Sequence, residues 1–170
     1  MKQKTEFKNV MDYNGQGIFQ RPLALYVHIP FCLTKCGYCD FLSLPVSTLT
    51  GAQETMERYV QALCREIGGL PHPGAELDSI YVGGGTPTIL PIGAVGRIMD
   101  TIRRRYRLHV SSEVTMEANP GTLEEERLKE YRQAGVNRIS MGVQSLDDQV
   151  LLKSGRVHRA QEVFDGFKML

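Results

Sequence analysis

Cys32, Cys36 and Cys39 stand in the run Tyr26-Val-His-Ile-Pro-Phe-Cys-Leu-Thr-Lys-Cys-Gly-Tyr-Cys-Asp40, at the spacing C-x3-C-x2-C. Thiolates are soft ligands, and this many in one short loop after an apolar strand point to metal or iron–sulfur chemistry. Three is the informative number. A structural zinc site closes with four protein ligands, whereas a reactive site leaves a position open. A four-iron cluster normally takes one thiolate per iron, so three would leave one iron free to bind something else. The spacing also admits zinc, with His28 or Asp40 as the fourth ligand, in a chain that only binds metal. Cys64 lies on the apolar face of a helical pattern and reads as a small core residue.

Further candidates follow at the ends of apolar segments. Gly83-Gly84-Gly85-Thr86-Pro87-Thr88 directly succeeds Ser79-Ile-Tyr-Val82. Successive glycines let a ligand approach the backbone, and the carboxyl edge of a parallel sheet is where ligands bind in α/β folds. It is not a P-loop, because no Gly-Lys-Ser/Thr follows. Glu117 in Met-Glu-Ala-Asn-Pro-Gly121 and Gln144 in Gly-Val-Gln-Ser145 offer a carboxylate and an amide suited to sugar hydroxyls. Asn119 and Ser145 read instead as strand-end residues capping the next helix, and Arg156 by default as solvated surface. His28 is as consistent with a packed strand residue as with a ligand; His158 reads as a loop or cap residue, and His72 and His109 as surface positions.

The elements that must position these residues alternate between strand and helix. Strands are expected over 23–29, 79–82, 113–118 and 138–143. Met56, Tyr59, Val60, Leu63, Cys64 and Ile67 recur at helical spacing, as do residues from Ile92 toward Tyr106. Thr122 with Glu125 resembles a capping box opening a helix that stops at Gly135. A last helical stretch, broken at Gly155, covers 147–152 and 160–170. Such alternation implies a parallel sheet with right-handed crossovers. Val27, Ile29, Ile80, Val82, Val114, Met116, Ile139, Met141 and Val143 would face the helices. The other face holds Tyr26, His28, Tyr81, Glu117, Ser140 and Gln144, among other polar or small residues. A parallel strand covered on both faces is apolar almost throughout, so this asymmetry favours a curved, ligand-lined sheet over an open one.

Composition bounds the rest. The chain has 170 residues, with 20 basic and 19 acidic, enough for one core domain that buries about 70% of its unfolded surface. Near neutrality offers no nucleic-acid footprint. Residues 1–22 read as a polar arm without the apolar stretch of a secretory signal, and residues 23–170 as the core. No apolar run approaches the ~20 residues of a transmembrane segment. Clustered cysteines without such signals suit the reducing cytoplasm. Four βα units are about half of an eightfold barrel of ~250 residues, so the chain reads as the first part of a truncated or longer protein.

Together the segments resemble the radical S-adenosylmethionine (SAM) superfamily. Within it they resemble the branch of oxygen-independent coproporphyrinogen III oxidases and HemW-type heme chaperones. The resemblance rests on the pieces at 26–32, 81–88, 117–122, 140–145 (Ser-Met-Gly-Val-Gln-Ser) and 155–158 (Gly-Arg-Val-His), in that order. It implies a partial parallel (β/α) barrel and a [4Fe-4S] cluster on Cys32, Cys36 and Cys39, whose fourth iron takes the amino and carboxylate groups of SAM. Gly84, Gly85 and Thr86 would contact the amino-acid end, Glu117 and Gln144 the nucleoside side, and Arg156 the carboxylate, with Tyr26 stacking near the cluster. An electron donor would drive cleavage of the sulfonium to methionine and a 5′-deoxyadenosyl radical. Heme or porphyrinogen is the implied ligand, and a hemoprotein the implied client. The oxidases carry a further cysteine two residues past the third, where this chain has Phe41, and a longer amino-terminal region. Both departures favour the chaperone over the oxidase. Replacement of Cys36 with Ala is expected to abolish iron–sulfur uptake while Cys64→Ala retains it, as iron content after anaerobic reconstitution would report. Equal loss in both variants would contradict this division of the cysteines.

Overall fold

The computed structural model describes residues 23–170; the expected polar arm over residues 1–22 lies outside them. In chain order the elements are β1 (Leu23–Ile29), β2 (Phe31–Cys32), β3 (Leu44–Pro45), α1 (Ala52–Gly69), β4 (Glu76–Gly84), α2 (Ala94–Arg105), β5 (Arg107–Ala118), α3 (Glu125–Gln133), β6 (Arg138–Met141), α4 (Asp148–Lys153) and α5 (Ala160–Met169). The main sheet runs β1-β4-β5-β6, parallel throughout, with α1, α2 and α3 joining successive neighbours. Each strand pairs with the next without reversal, the order of the first half of a (β/α) barrel.

The alternation of residue types explains the layering. Val27, Ile29, Ile80, Val82, Val114 and Met116 are buried in one core with Val60, Ile98, Met99 and Ile102 from α1 and α2. Tyr59, Leu63 and Cys64 pack at its margin. On the other face Tyr26 is 55% exposed. There, Thr115 donates to Glu113 at 2.8 Å and accepts from Arg138 at 3.2 Å. One face is therefore apolar packing and the other a polar wall.

Several boundaries differ from the sequence expectation. Strands β4 and β5 begin at Glu76 and Arg107, before the expected Ser79 and Glu113. A register irregularity between Leu77 and Ser79 interrupts the period-two pattern that the sequence reading relies on. Helix α2 begins at Ala94 after a left-handed Gly93, leaving Ile92 exposed rather than on the core face. The capping box at Thr122 does not form. Pro120–Thr122 is a 3-10 turn, the Thr122 hydroxyl donates to the Asn119 carbonyl at 2.7 Å, and Glu124 precedes α3. Strand β6 ends at Met141, so Val143 lies past the ladder, where Val143 N–H and Ser145 N–H bond the carbonyls of Met141 and Val143. His72 is half-buried at φ 58°, not a plain surface residue.

The cysteine segment is held by contacts that periodicity does not reveal. Strands β2 and β3 pair in parallel, and Leu44 N–H donates to the Pro30 carbonyl at 2.7 Å, closing the loop that carries Cys36 and Cys39. Gly85 N–H and Thr86 N–H donate to the carbonyls of Ile29 and Phe31, each at 2.7 Å. This contact requires glycine, since a Cβ on Gly85 would overlap the Phe31 carbonyl. Replacing Gly85 with Ala is expected to lower stability by about 1–3 kcal/mol, read from urea unfolding. Gly37→Ala, where an added Cβ meets nothing within 4 Å, should shift it by no more than about 0.5 kcal/mol.

Candidate functional site

The carboxyl ends of the strands and the cysteine loop enclose a cleft of about 680 Å³. Its wall brings together Cys32, Cys36, Cys39, Gly84, Gly85, Thr86, Glu117, Gln144 and Arg156, residues from five separate stretches of chain. Tyr26 stands apart from this lining. Its ring stacks on Tyr81 with centroids 6.2 Å apart, and Tyr81 in turn donates to Glu117 Oε1 at 2.7 Å. Donation to the Glu117 carboxylate holds the Tyr81 phenol protonated above its ordinary range.

All the cysteines are free and half-buried. Two of the cleft thiols have a donor. Thr86 Oγ1 donates to Cys32 Sγ at 3.6 Å, and Arg156 Nη1 donates to Cys36 Sγ at 3.6 Å, distances set by the larger radius of sulfur. The loop also docks on the α4–α5 turn, where Gly37 N–H donates to the Ser154 carbonyl at 3.2 Å beside the left-handed Gly155. Gly155 thus brings Arg156 to the cysteines, and the default surface reading of that arginine does not hold. Its Nη2 donates to Asn119 Oδ1 and to the Gly142 carbonyl, both at 2.6 Å.

His28 is not a spare ligand. Its Nε2 lies 2.9 Å from the Leu42 carbonyl, which can only accept, so Nε2 carries the hydrogen and Nδ1 accepts from the Tyr26 hydroxyl at 2.9 Å. Both ring nitrogens are engaged, one bracing the cysteine loop and the other held by Tyr26 on the same strand, which removes His28 as the fourth ligand of a zinc site. By ligand type the thiols suit an iron–sulfur cluster, two of them being hydrogen-bonded in the cleft wall. Among the described residues, however, no three metal-ligating side chains are drawn together as a metal site, and Asp40 also lines the cleft.

Around the thiols, the protein has spent some polar groups and kept others. The glycine run has few N–H groups to offer an anion, because Gly84 N–H donates to Glu117 Oε2 at 2.9 Å and the next two bond β1 and β2. Phosphate recognition of the P-loop kind is therefore not built here. Conversely, Arg156 Nε and Ser43 Oγ are buried without a partner, and both residues line the cleft. A bound carboxylate or hydroxyl would satisfy such groups. Gln144 holds φ 62°, a left-handed conformation that costs a non-glycine residue of order 1 kcal/mol or more, at the cleft wall rather than in the strand.

Comparison with known proteins decides the family. The model of the radical SAM superfamily matches residues 26–170. The chain belongs to that superfamily. It is 45% identical over 143 residues to the heme chaperone HemW of Escherichia coli K12, covering 83% of this chain and 37% of that protein. A HemW of Synechocystis is 39% identical over 152 residues, covering 86% and 36%. The solved coproporphyrinogen III oxidase (HemN) of Escherichia coli, a radical SAM enzyme, is 32% identical with a TM-score of 0.78, covering 89% of this chain and 34% of that one. This chain therefore spans little more than a third of the relatives it matches. Its parallel sheet and helices form the partial radical SAM barrel expected from the motif order.

Sequence reasoning missed three residues here. Ser43 carried no motif. Asn119 was assigned to helix capping, but its side chain bonds Arg156 and Thr86. His158 lies in the loop before α5, as expected, but is only 3% exposed, and its Nε2 lies 3.2 Å from the Val143 carbonyl. Burial, and then the nearby Arg156 charge, push its pKa below the ordinary histidine value. Between the two values the unfolded chain binds a proton that the folded chain does not. Stability is therefore lost as pH falls through the ordinary value near 6.5, and the loss levels off below the folded pKa. His158→Gln keeps a donor for Val143, and its melting temperature is expected to fall less than the parent's between about pH 7 and about pH 5. Parallel curves would contradict this.

Proposed function

We propose that the chain is the cluster- and SAM-binding core of a HemW-type heme chaperone. Cys32, Cys36 and Cys39 would hold a [4Fe-4S] cluster and leave one iron for SAM. When bound and reduced, that cluster supplies an electron to cleave the sulfonium of SAM. The chain's own residues do the positioning. Arg156, with its unpartnered Nε, suits the SAM carboxylate. Glu117 holds remaining lone pairs for nucleoside hydroxyls beyond those taken by Tyr81 and Gly84, and Gln144 adds an amide on the same wall. Gly84, Gly85 and Thr86 would form the floor at the amino-acid end. Tyr26 would act through Tyr81, on which it stacks.

The choice of chaperone over oxidase rests on Phe41. At the position where the oxidase branch carries a further cysteine, this chain places an aromatic ring, 62% exposed, on the cleft wall. A ring offers apolar area to a flat macrocycle and no ligand for metal. The 45% identity to a heme chaperone, against 32% to the oxidase structure, supports the same reading. No helix among the described residues is long and apolar enough to cross a membrane. We infer a cytoplasmic protein that takes electrons from a donor, binds heme and passes it to a hemoprotein client.

Heme titration of the anaerobically reconstituted chain, run beside a coproporphyrinogen III turnover assay, tests this reading. Saturable heme binding, seen as a Soret shift, without decarboxylated product is expected. Turnover of the porphyrinogen would move the assignment to the oxidase. Stoichiometric zinc with neither heme nor iron uptake would leave only a metal-binding chain.

A further inference from the structure

The cleft contains one side chain that touches none of the cysteines yet joins the donors of two of them. Asn119 sits in the loop after β5, and its amide is used at both ends. Arg156 Nη2 lies 2.6 Å from one amide atom and Thr86 Oγ1 lies 3.0 Å from the other. A guanidinium only donates, so the atom facing Arg156 is oxygen and the atom facing Thr86 is the NH2 nitrogen. The Thr86 hydroxyl, having accepted from Asn119, keeps its one hydrogen for Cys32 Sγ at 3.6 Å. Arg156 is aimed at the same time, with Nη1 on Cys36 Sγ at 3.6 Å. Asn119 thereby links both thiol donors in the chain Cys36–Arg156–Asn119–Thr86–Cys32.

We propose that Asn119 is a positioning residue that fixes the hydrogen-bond donors of two cluster thiolates and, through Arg156, the carboxylate end of SAM. This rests on the cluster and SAM reading of the cleft. Hydrogen bonds to the sulfurs stabilise the more negative, reduced cluster and so raise its reduction potential. Without the amide, Thr86 is free to turn its hydroxyl elsewhere and Arg156 loses one of its two oxygen anchors. The other anchor, the Gly142 carbonyl at 2.6 Å, remains. The fold should therefore survive the change.

The test uses the reconstituted full chain as parent, Asn119→Ala, Asn119→Asp, Thr86→Val and the Asn119→Ala/Thr86→Val pair. Iron content, reduction potential by EPR-monitored titration, and SAM affinity by the change in the reduced cluster's EPR signal are measured for each. Asn119→Ala is expected to keep its iron, lower the potential and weaken SAM binding by about tenfold, the scale of one lost charged hydrogen bond. Asn119→Asp still accepts from Arg156 but draws the Thr86 hydroxyl to itself; it should keep SAM affinity and still lower the potential. The potential shifts of Asn119→Ala and Thr86→Val should be less than additive in the pair, because both act through the same hydroxyl. Unchanged potential in both Asn119 variants, or strict additivity in the pair, would overturn the proposal. Parent protein that takes up no iron–sulfur cluster would instead overturn the reading on which it rests.

Discussion

The close approach of the end of β4 to the segment after β1 is the constraint on which the site depends. Gly85 and Thr86 donate their N–H groups to the Ile29 and Phe31 carbonyls, and a Cβ on Gly85 has no room there. A Cβ on Gly84 would likewise come within 2.5 Å of the His28 ring. Because both glycines lack that atom, the strand carrying Cys32 lies against the strand that leads to Thr86. The cysteine loop is thus attached to a rigid sheet at its root, while His28 and the short β2–β3 pair brace it from the side. A loop of free thiols would otherwise have to be ordered by the cluster alone, at the conformational cost of every residue in it.

From that attachment the chemistry of the cleft follows. The backbone donors of the glycine run are consumed in holding the fold, so the run presents a close-fitting floor rather than a phosphate cradle. Positive character comes instead from Arg156, carried in by the α4–α5 turn that Gly155 permits and by the contact of Gly37 with Ser154. Negative character comes from Glu117, tied down by Tyr81 and Gly84. The left-handed Gln144 backbone at the cleft wall is what a tertiary fold can sustain where a side chain must be aimed.

Much of this was legible in the residues. The alternation of Val27 and Ile29 with Tyr26 and His28, repeated in β4 and β5, marked the buried and polar faces, because period two is a direct consequence of strand geometry. In β6 it did not hold, since Ser140 and Met141 both line the cleft. The cysteine spacing and the ordered segments marked the family. What stayed hidden depends on contacts between distant parts of the chain. Arg156 in isolation resembles any loop arginine, and only the docking of its turn on Gly37 makes it a thiol partner. Asn119 looked like a cap because asparagine after a strand and before a helix usually is one; Pro120 makes a 3-10 turn there and frees the amide for the cleft. The register irregularity near Leu77 displaced the strand starts, and the tight turn past Met141 took Val143 off its ladder.

The central claim is that three cysteines leave one coordination position of an iron–sulfur cluster for SAM, in a cleft already shaped for it. EPR of the anaerobically reconstituted, reduced chain, recorded with and without SAM alongside iron and sulfide content, tests it most directly. About four irons per chain and a cluster signal that changes on SAM addition are predicted. A single bound metal, or a cluster signal indifferent to SAM, would contradict the account.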